Sequence, residues 1–551
     1  MFASRSTLVP LVLFILLSLL AAPAAHAVER FVSLTGNDAA SGTQSSPFRT
    51  ITKAASVALP GDVVSVRGGV YNEAVTIRSK GTASARITFR SYPGERAILD
   101  GTGLGASTIV VNLSATEHVD FTNFEVRNAP FIAVNVRNSR STRVANNEIH
   151  HSWRNAIYYG ADTMLGSVDA LVENNVAYNN VLENQAHAMS GGWAGTIVVS
   201  KTNGGTIRGN RTYNNDGEGM IAILSDNITI SGNEAYDNFS QGIYLDNARF
   251  TTVERNFIYC TGNPRYFRDG FPGQGIAIAN EAYSYSNPSS DNRIVNNIVT
   301  GTRWGFYYGN FQNGGGLKNT TIANNTFYRT AQEILRITQD AHANSVVENN
   351  IFQQSGGLGP AYSGGGVTFR NNNWYGVNAG PAAGAGDVYG NPTLANPGGF
   401  SARDYKILPG SAALGGAVAL PLVAVDYFGS PRATPIDIGA HQLGSASTPP
   451  PPPADTQAPS APASLQVTGV TTSSVSLAWQ ASTDDTGVTG YRILRNGTVI
   501  ATTSGTAWTV PSLASGTRFT FSVVALDAAG NVSASSNVVS ATTLKPRRRA
   551  A

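Results

Sequence analysis

The sequence predicts an all-β protein whose main body is a right-handed parallel β-helix of about ten coils. A short strand that ends in an apolar-x-Asn step recurs along most of the chain. Only 13% of the residues are charged while 58 are glycine, a balance that favours strands and tight turns. The single cysteine, Cys260, excludes an internal disulfide framework, so stability must come from repetitive packing.

The asparagine that closes each repeat sets the period. Its shortest spacings are 22 to 25 residues, which suits one coil of three short strands joined by turns. Stacked coils would place these side chains about 4.8 Å apart, where they can hydrogen-bond along the stack. A leucine-rich or helical solenoid fits less well, because the repeats show neither a leucine ladder nor a sustained 3.6-residue period. The expected ladder consists of Asn123, Asn147, Asn175, Asn210, Asn233, Asn256, Asn297, Asn325, Asn350 and Asn372.

The N-terminal region predicts export followed by a capping helix. Arg5, an apolar run of 13 residues at 8–20 and the small residues around Ala27 form a signal peptide with cleavage near Ala27. We expect a secreted or periplasmic protein without a membrane span, since the run is shorter than the roughly 20 residues that a span needs. Residues 47–59 predict an amphipathic helix that would cover the open first coil.

Two segments resemble a known superfamily. Residues 31–73 (FVSLTGNDAASGTQSSPFRTITKAASVALPGDVVSVRGGVYNE) resemble the opening of secreted right-handed β-helix proteins, including the family nine pectate lyases. Residues 425–442 (VDYFGSPRATPIDIGAHQ) resemble the end of the same superfamily. The resemblance implies the fold and leaves the reaction open, because such β-helices include lyases, hydrolases and epimerases. The Asp-Pro-His motif of mannuronan epimerases is absent, and no catalytic residue of the pectate lyases is carried over.

The C-terminal region resembles a fibronectin type III module. Its signature is LAWQAS around Trp479, GYRILRNG from Gly490 and GTRFTFSVVALDAAGNVS from Gly516, which implies a seven-strand sandwich with Trp479 in the core. Phe519 stands where the corner tyrosine is usual. We expect a spacer module. The predicted organisation is a signal peptide at 1–27, the β-helix at 28–444, a Pro-rich linker at 445–456, the module at 457–544 and a basic tail at 545–551.

Coil lengths predict where the functional site lies. The steps from Asn175 to Asn210 and from Asn256 to Asn297 are 35 and 41 residues, and the steps between them are 23. Part of each excess falls at the same turn, as loops 182–193 and 261–273. We expect the two loops to stand as walls on one edge, roughly 14 Å apart, with the short turns 213–219 and 236–242 as the floor of a groove for a sugar chain.

The loops and turns supply the residue types that sugar-chain chemistry needs. Paired carboxylates can protonate a glycosidic oxygen and activate water, whereas β-elimination needs a cation beside the uronate and a base. The turn carboxylates would also suit Ca²⁺, although short polar turn residues commonly cap their own backbone. The candidate catalytic residues are Glu218, Asp216, His187, Asp237, Arg265 and Arg268. The candidate substrate-binding residues are Gln241, Tyr244, Asp246, Trp193, Tyr266 and Asp269.

Three functions stay open at this stage. The leading hypothesis is a polysaccharide lyase that cleaves an acidic, uronate-containing glycan by β-elimination, favoured by the N-terminal resemblance and by the loop arginines. The alternatives are a glycoside hydrolase that uses two of the three carboxylates and a non-catalytic glycan-binding protein. No cofactor is required by any of them, with Ca²⁺ the one candidate. A net charge of +3 that is dispersed along the chain argues against nucleic acid, and we expect a monomer.

Overall fold

The computed structural model describes residues 27–283, 287–311, 315–356, 358–443, 457–484, 488–527 and 531–545. These residues form two compact units, divided between residues 447 and 448. Residues 1–26 of the predicted signal peptide, the predicted linker and residues 546–551 of the predicted tail lie outside the described residues and stay predictions. Within the described part of the chain, no helix has the length and apolar character needed to cross a bilayer.

The larger unit is a parallel β-helix made of three long sheets, and each coil visits the first, second and third sheet in turn. The first sheet contains Glu29–Val32, Val63–Val66, Ile87–Ser91, Val119–Thr122, Arg143–Ala145, Ser167–Glu173, Thr202–Arg208, Asp226–Ser231, Thr252–Glu254, Arg293–Val295, Thr321–Ala323, Ser345–Glu348 and Val367–Arg370. The second contains Gly69–Tyr71, Ala97–Asp100, Glu125–Arg127, Glu148–His150, Val176–Tyr178, Arg211–Tyr213, Glu234–Tyr236, Phe257–Tyr259, Ile298–Thr300, Thr326–Tyr328, Ile351–Gln353, Asn373–Tyr375 and Val388–Tyr389. The third contains Val75–Ile77, Val111–Ser114, Val134–Arg137, Ile157–Gly160, Gly195–Ser200, Glu218–Ile223, Gln241–Asp246, Gln274–Asn280, Phe306–Asn310, Leu335–Ile337 and Ala361–Tyr362.

The predicted fold is therefore confirmed, with more coils than the ten expected. Thirteen strands stack in each of the first two sheets and eleven in the third. The additional coils come from the N-terminal region, where the asparagine repeat is absent. Apolar side chains fill the interior, as in the column in which Phe352 stacks on Phe327 at 5.3 Å and on Trp374 at 4.3 Å between ring centroids.

The asparagine ladder runs between the first and second sheets. Each buried side chain from Asn147 to Asn350 donates from Nδ2 to Oδ1 of the next asparagine at 2.9–3.1 Å, ending at Asn372. The expectation for Asn123 is wrong. Phe124 occupies the ladder position in that coil and its backbone N–H donates to Oδ1 of Asn147 at 3.0 Å. Asn123 instead lies one residue earlier, where the backbone turns with a φ of +64° that asparagine tolerates.

Among the described residues there is one α-helix, Ile51–Val57, which lies near the N-terminal end of the β-helix and within the predicted range 47–59. The Thr50 hydroxyl accepts a hydrogen bond from the backbone N–H of Lys53 at 3.0 Å, which caps the first turn. Ile51 and Ala54 are fully buried in the main core. The helix therefore covers the apolar interior that the first coil would otherwise expose. Short 3₁₀ helices span Leu182–Asn184, Pro264–Tyr266, Gly380–Ala382 and Ala402–Tyr405.

The smaller unit is the predicted seven-strand sandwich. One antiparallel sheet contains Ala463–Val470, Val475–Gln480 and Ala507–Val510, and the other contains Thr498–Thr503, Val488–Arg495, Arg518–Asp527 and Val539–Thr542. Trp479 lies in its core with 6% of its surface exposed, 5.5 Å from the ring of Tyr491.

Candidate active site

The two long loops lie on the same edge, as predicted, but they do not stand apart. Residues 182–193 and 261–273 both leave the turn between the second and third sheets. His187 Nε2 lies 2.8 Å from a guanidinium nitrogen of Arg265, and the guanidinium of Arg268 lies 4.7 Å from the ring centroid of Trp193. The loops therefore close over the short turns, and the expected open groove between walls roughly 14 Å apart is wrong.

Asp216 is the centre of the contact between the loops. Its Oδ1 lies 2.8 Å from His187 Nε2 and 2.9 Å from Arg265, and 2% of the residue is exposed. Asn184 Nδ2 donates to its backbone carbonyl at 2.8 Å. Burial raises the pKa of Asp216, against the opposing effect of the His187 and Arg265 hydrogen bonds. The Asp216 carboxylate therefore connects the two loops in a buried position, away from solvent.

Glu218 begins the next third-sheet strand and has a different environment. Its Oε1 accepts a hydrogen bond from the indole N–H of Trp193 at 2.8 Å. Its Oε2 is buried and has no hydrogen-bond partner among the described residues. Burial raises the pKa of Glu218 to about 8, Glu281 adds to the rise, and the Trp193 N–H and the charge of Arg268 offset only part of it. The Glu218 side chain is therefore a neutral acid at pH 7. Its Oε2 atom is not used in a hydrogen bond with any described residue.

Glu218 lies in a cleft on the outer face of the third sheet, beside the joined loops. The cleft has a volume of about 530 Å³ and is referred to below as the Glu218 cleft. It brings together five of the predicted residues with three that the sequence did not indicate. The lining includes Trp193, Glu218, Gln241, Tyr244 and Arg268 with Glu281, Ala282 and Phe311.

A second group of carboxylates lies at the far side of this cleft. Tyr244 and Asp246 point outward from one strand, as expected from their alternate positions. The Tyr244 hydroxyl donates to Oε1 of Glu281 at 2.7 Å, and the Tyr283 hydroxyl donates to Asp246 at 2.8 Å. Burial, together with the nearby Glu281, raises the pKa of Asp246 to about 7. Two buried carboxyl groups with raised pKa values, Glu218 and Asp246, thus lie near Glu281 at this cleft, and perturbed carboxyl groups are typical of functional sites.

Three more predicted residues lie outside the cleft, in addition to His187, Asp216 and Arg265 in the contact between the loops. Asp237 caps the start of loop 261–273, since its carboxylate accepts from the backbone N–H of Thr261 at 2.9 Å and from its hydroxyl at 2.6 Å. Tyr266 is 9% exposed and faces a cavity of about 10 Å³. Its ring therefore packs within the protein and does not present a face on which a sugar could stack. Asp269 is exposed and pairs with Arg303 at 3.4 Å.

The calcium site considered for the turn carboxylates is not formed. Asp216, Glu218 and Asp237 each bind a different partner, and the described ranges contain no group of three or more His, Cys, Asp or Glu side chains placed to hold one metal ion.

Comparison with known proteins assigns the family. The model described as the Pel9A-like, right-handed β-helix region matches residues 30–344, which is more than half of the chain. The chain belongs to the Pel9A-like β-helix family. The fibronectin type III domain model matches residues 460–542 of the smaller unit.

Individual relatives cover different parts of this Pel9A-like chain. Uncharacterized protein YwoF of Bacillus subtilis (strain 168) is 24% identical over 366 residues, which are 58% of this chain and 74% of that protein. Chitinase A1 of Niallia circulans is 56% identical over 92 residues, 17% of this chain. The chain spans only 13% of that chitinase's length, and 19% and 14% of two further chitinases. The crystal structure of pectate lyase Pel9A matches 76% of this chain and 96% of its own at 17% identity, with a TM-score of 0.46.

Two of the three residues that sequence reasoning missed, Glu281 and Ala282, come from the second half of the longest coil. Loop 261–273 accounts for only part of the 41-residue step from Asn256 to Asn297. The remainder begins after Asn280 and carries Glu281, which lines the cleft, and Tyr283, which donates to Asp246. The acidic and aromatic sequence EAYSY directly after a third-sheet strand was the available signal.

Asp237→Asn is expected to lower the free energy of unfolding of the β-helix by about 1–3 kcal/mol, because an amide cannot accept from both donors of Thr261. Urea unfolding followed by near-ultraviolet circular dichroism would measure the change. Asp269→Asn is the matched control, since that carboxylate is exposed and its loss is expected to change stability by less than about 0.5 kcal/mol. Equal effects of the two substitutions would contradict a capping role for Asp237.

Proposed function

We propose that the chain is a carbohydrate-active enzyme that hydrolyses a glycosidic bond, with Glu218 as the proton donor. The observation that carries the proposal is the Glu218 carboxyl group itself. One oxygen is fixed by Trp193 at 2.8 Å, and within the described structure the other has no hydrogen-bond partner. With a pKa of about 8, the group is protonated at neutral pH and faces a cleft large enough for sugar rings.

The second carboxylate of the reaction is Glu281. It lines the same cleft, and the Tyr244 hydroxyl donates to its Oε1 at 2.7 Å. In the proposed reaction, Glu218 gives its proton to the leaving glycosidic oxygen as the bond from that oxygen to the anomeric carbon breaks. Water then adds to the anomeric carbon, and the proton that this water releases is taken up by one of the two carboxylates. Hydrolysis of a glycosidic bond uses a pair of carboxyl groups that flank the bond.

Other side chains of the cleft suit substrate positioning. The Arg268 guanidinium lies over the Trp193 ring, which fixes both groups at one wall. Gln241 occupies the strand position beside Glu218, because Met220 pairs with Ile243 in the same register. Its Oε1 accepts from the Ser240 hydroxyl at 2.5 Å, so its amide group can still donate to a sugar hydroxyl.

β-Elimination on a uronate remains the second candidate, favoured by one observation in the cleft. Arg268 could neutralise a substrate carboxylate beside the carbon that loses its proton. The family takes its name from Pel9A, which is a pectate lyase, and this points the same way. Arg265, the other predicted cation, is already paired with Asp216.

Product analysis tests the proposal. The full chain would be incubated with a set of neutral and acidic polysaccharides, and the products measured by mass and ultraviolet absorbance. Hydrolysis is expected to add one water for each new reducing end and to leave no unsaturated uronate. Products whose masses sum to that of the substrate, with the absorbance of an unsaturated uronate, would replace hydrolysis by elimination. If no polysaccharide is shortened, the proposal fails.

A further inference from the structure

A second cleft lies on the same face of the third sheet, on the N-terminal side of Trp193. Its volume is about 550 Å³, and it is called the Tyr158 cleft here. Trp193 lines both clefts, so the indole that binds Glu218 is also the partition between them. No residue predicted from the sequence, other than Trp193, lies in this second cleft.

The floor of the Tyr158 cleft presents an aromatic ring to the solvent side. A Cβ at Gly160 would lie 2.6 Å from Cε1 and 2.9 Å from Cζ of Tyr158, so the ring rests on the glycine backbone. Tyr158 is half-buried and points outward, since Ile157 and Tyr159 on either side are fully buried. A ring that lies against its own strand leaves one face open, which is the arrangement that stacks against the apolar face of a sugar.

One outward row of side chains connects the two clefts. The strand pairing places Asn135 beside Tyr158, Tyr158 beside Val198, and Val198 beside Ile221. The next residue in the row is Tyr244, which lines the Glu218 cleft. Four strand steps of about 4.8 Å separate Asn135 from Tyr244, so the row extends for about 19 Å across the stack.

The polar side chains that line the Tyr158 cleft are either uncharged or paired with a side chain of opposite charge. The Nε of Arg137 donates to Asp162 at 2.7 Å, and the Nε of Arg154 lies 3.0 Å from Glu183. Asn135 donates from Nδ2 to Oδ1 of Asn112 at 2.8 Å, which leaves amide groups for hydroxyl partners. A chain of uronates would need unpaired cations along this floor, whereas hydroxyls and apolar sugar faces match amides, isoleucine, valine and tyrosine.

We propose that the Tyr158 cleft binds an uncharged oligosaccharide chain that extends from the Glu218 cleft across the strands of the third sheet. This inference rests on the proposed function for the identity of the ligand as a glycan, and it names the substrate class as neutral. Tyr158 is the stacking platform, and the amides of Asn112 and Asn135 bind the hydroxyl groups. The substrate is therefore held on both sides of Trp193, which places the bond to be cleaved within a chain.

Calorimetric titration of the full chain carrying Glu218→Gln, which keeps bound chains intact, tests the inference. The probes are uncharged hexasaccharides from xylan, mannan, galactan and chitin, with the hexamer of galacturonate for comparison. At least one uncharged hexasaccharide is expected to bind more tightly than the galacturonate hexamer, with an affinity that salt does not change. Tyr158→Ala in the same background is expected to weaken that binding roughly tenfold. Tyr158→Phe should retain it, and so should Tyr389→Ala, which removes an exposed tyrosine outside the cleft.

Ser114→Tyr provides an independent variant, because it adds volume at an outward position of the cleft without removing a core side chain. It is also expected to weaken binding. Tightest binding of galacturonate, no binding of any probe, or neutral binding that neither variant changes would each overturn the inference. Cleavage by the unmodified chain is measured separately. If Glu218→Gln cleaves as fast as the unmodified protein, the proposed function fails while the titration still decides this inference.

Discussion

Glu218→Gln is expected to slow glycosidic cleavage by about 10²–10⁴-fold, the usual contribution of a general acid. The amide keeps the shape of the side chain and can still accept from the Trp193 indole, so the fold and substrate affinity should remain. The loss should therefore appear in kcat with little change in KM. Glu254→Gln is the matched control, because Glu254 lies on the first sheet and pairs with Arg255. Activity of the Glu218 variant within a few-fold of the unmodified chain would contradict the assignment.

The same variant should also change how stability depends on pH. Folding raises the pKa of Glu218 from 4.5 to about 8, so the folded state holds this proton more tightly than the unfolded state. The associated stability is fully present below pH 4.5 and is lost as the pH rises through about 8. Glutamine does not titrate, so the unmodified chain should lose up to about 1.4 kcal/mol per pH unit relative to the variant in this window. Parallel stability curves for the two proteins would contradict a neutral, buried Glu218.

The β-helix could be predicted from the sequence because its periodic signal is redundant. Each buried asparagine marks the same turn, so one misplaced member, Asn123, did not disturb the period. The coils before Asn123 lack this marker and were undercounted, and in the Asn123 coil Phe124 adds no side-chain amide to the ladder. Helix Ile51–Val57 was predictable for a local reason, since its buried face and its Thr50 cap lie within one short segment.

The site was predictable only in part. Coil lengths indicated correctly that loops 182–193 and 261–273 share an edge, and Glu218 and Trp193 do meet in a cleft. The loops nevertheless close on each other through His187 and Arg265, a side-chain contact that no spacing rule contains. Asp216, Asp237 and Glu218 look alike in the sequence. Their roles separate only when the partners of each carboxylate are known, because burial and hydrogen bonding set their protonation.

Asn233→Ala is expected to cost about 3–5 kcal/mol of the unfolding free energy of the β-helix, the largest stability effect among the substitutions considered. The Asn233 side chain is 2% exposed and donates at 2.9 Å to the carbonyl of Ile207 and to Oδ1 of Asn256. Its Oδ1 accepts from the backbone N–H of Asn210 at 2.8 Å. Alanine would leave the Ile207 carbonyl and the Asn210 N–H buried without this side-chain partner, whereas Oδ1 of Asn256 would keep the bond from the backbone N–H of residue 233.

Asn203→Ala is the control, because Asn203 is exposed on the first sheet and, among the described residues, its Oδ1 accepts one hydrogen bond, from the Asn227 side chain at 2.8 Å. Guanidinium unfolding of both variants would show whether the asparagine ladder contributes to the stability of the stacked coils.

Since each coil contacts its neighbours, the loss at Asn233 should also loosen the adjacent turns that carry Asp216 and Glu218. Hydrogen exchange of those turns should rise in Asn233→Ala and stay unchanged in Asn203→Ala. A cost below about 1 kcal/mol for Asn233→Ala would mean that the coils are held by their apolar interior alone.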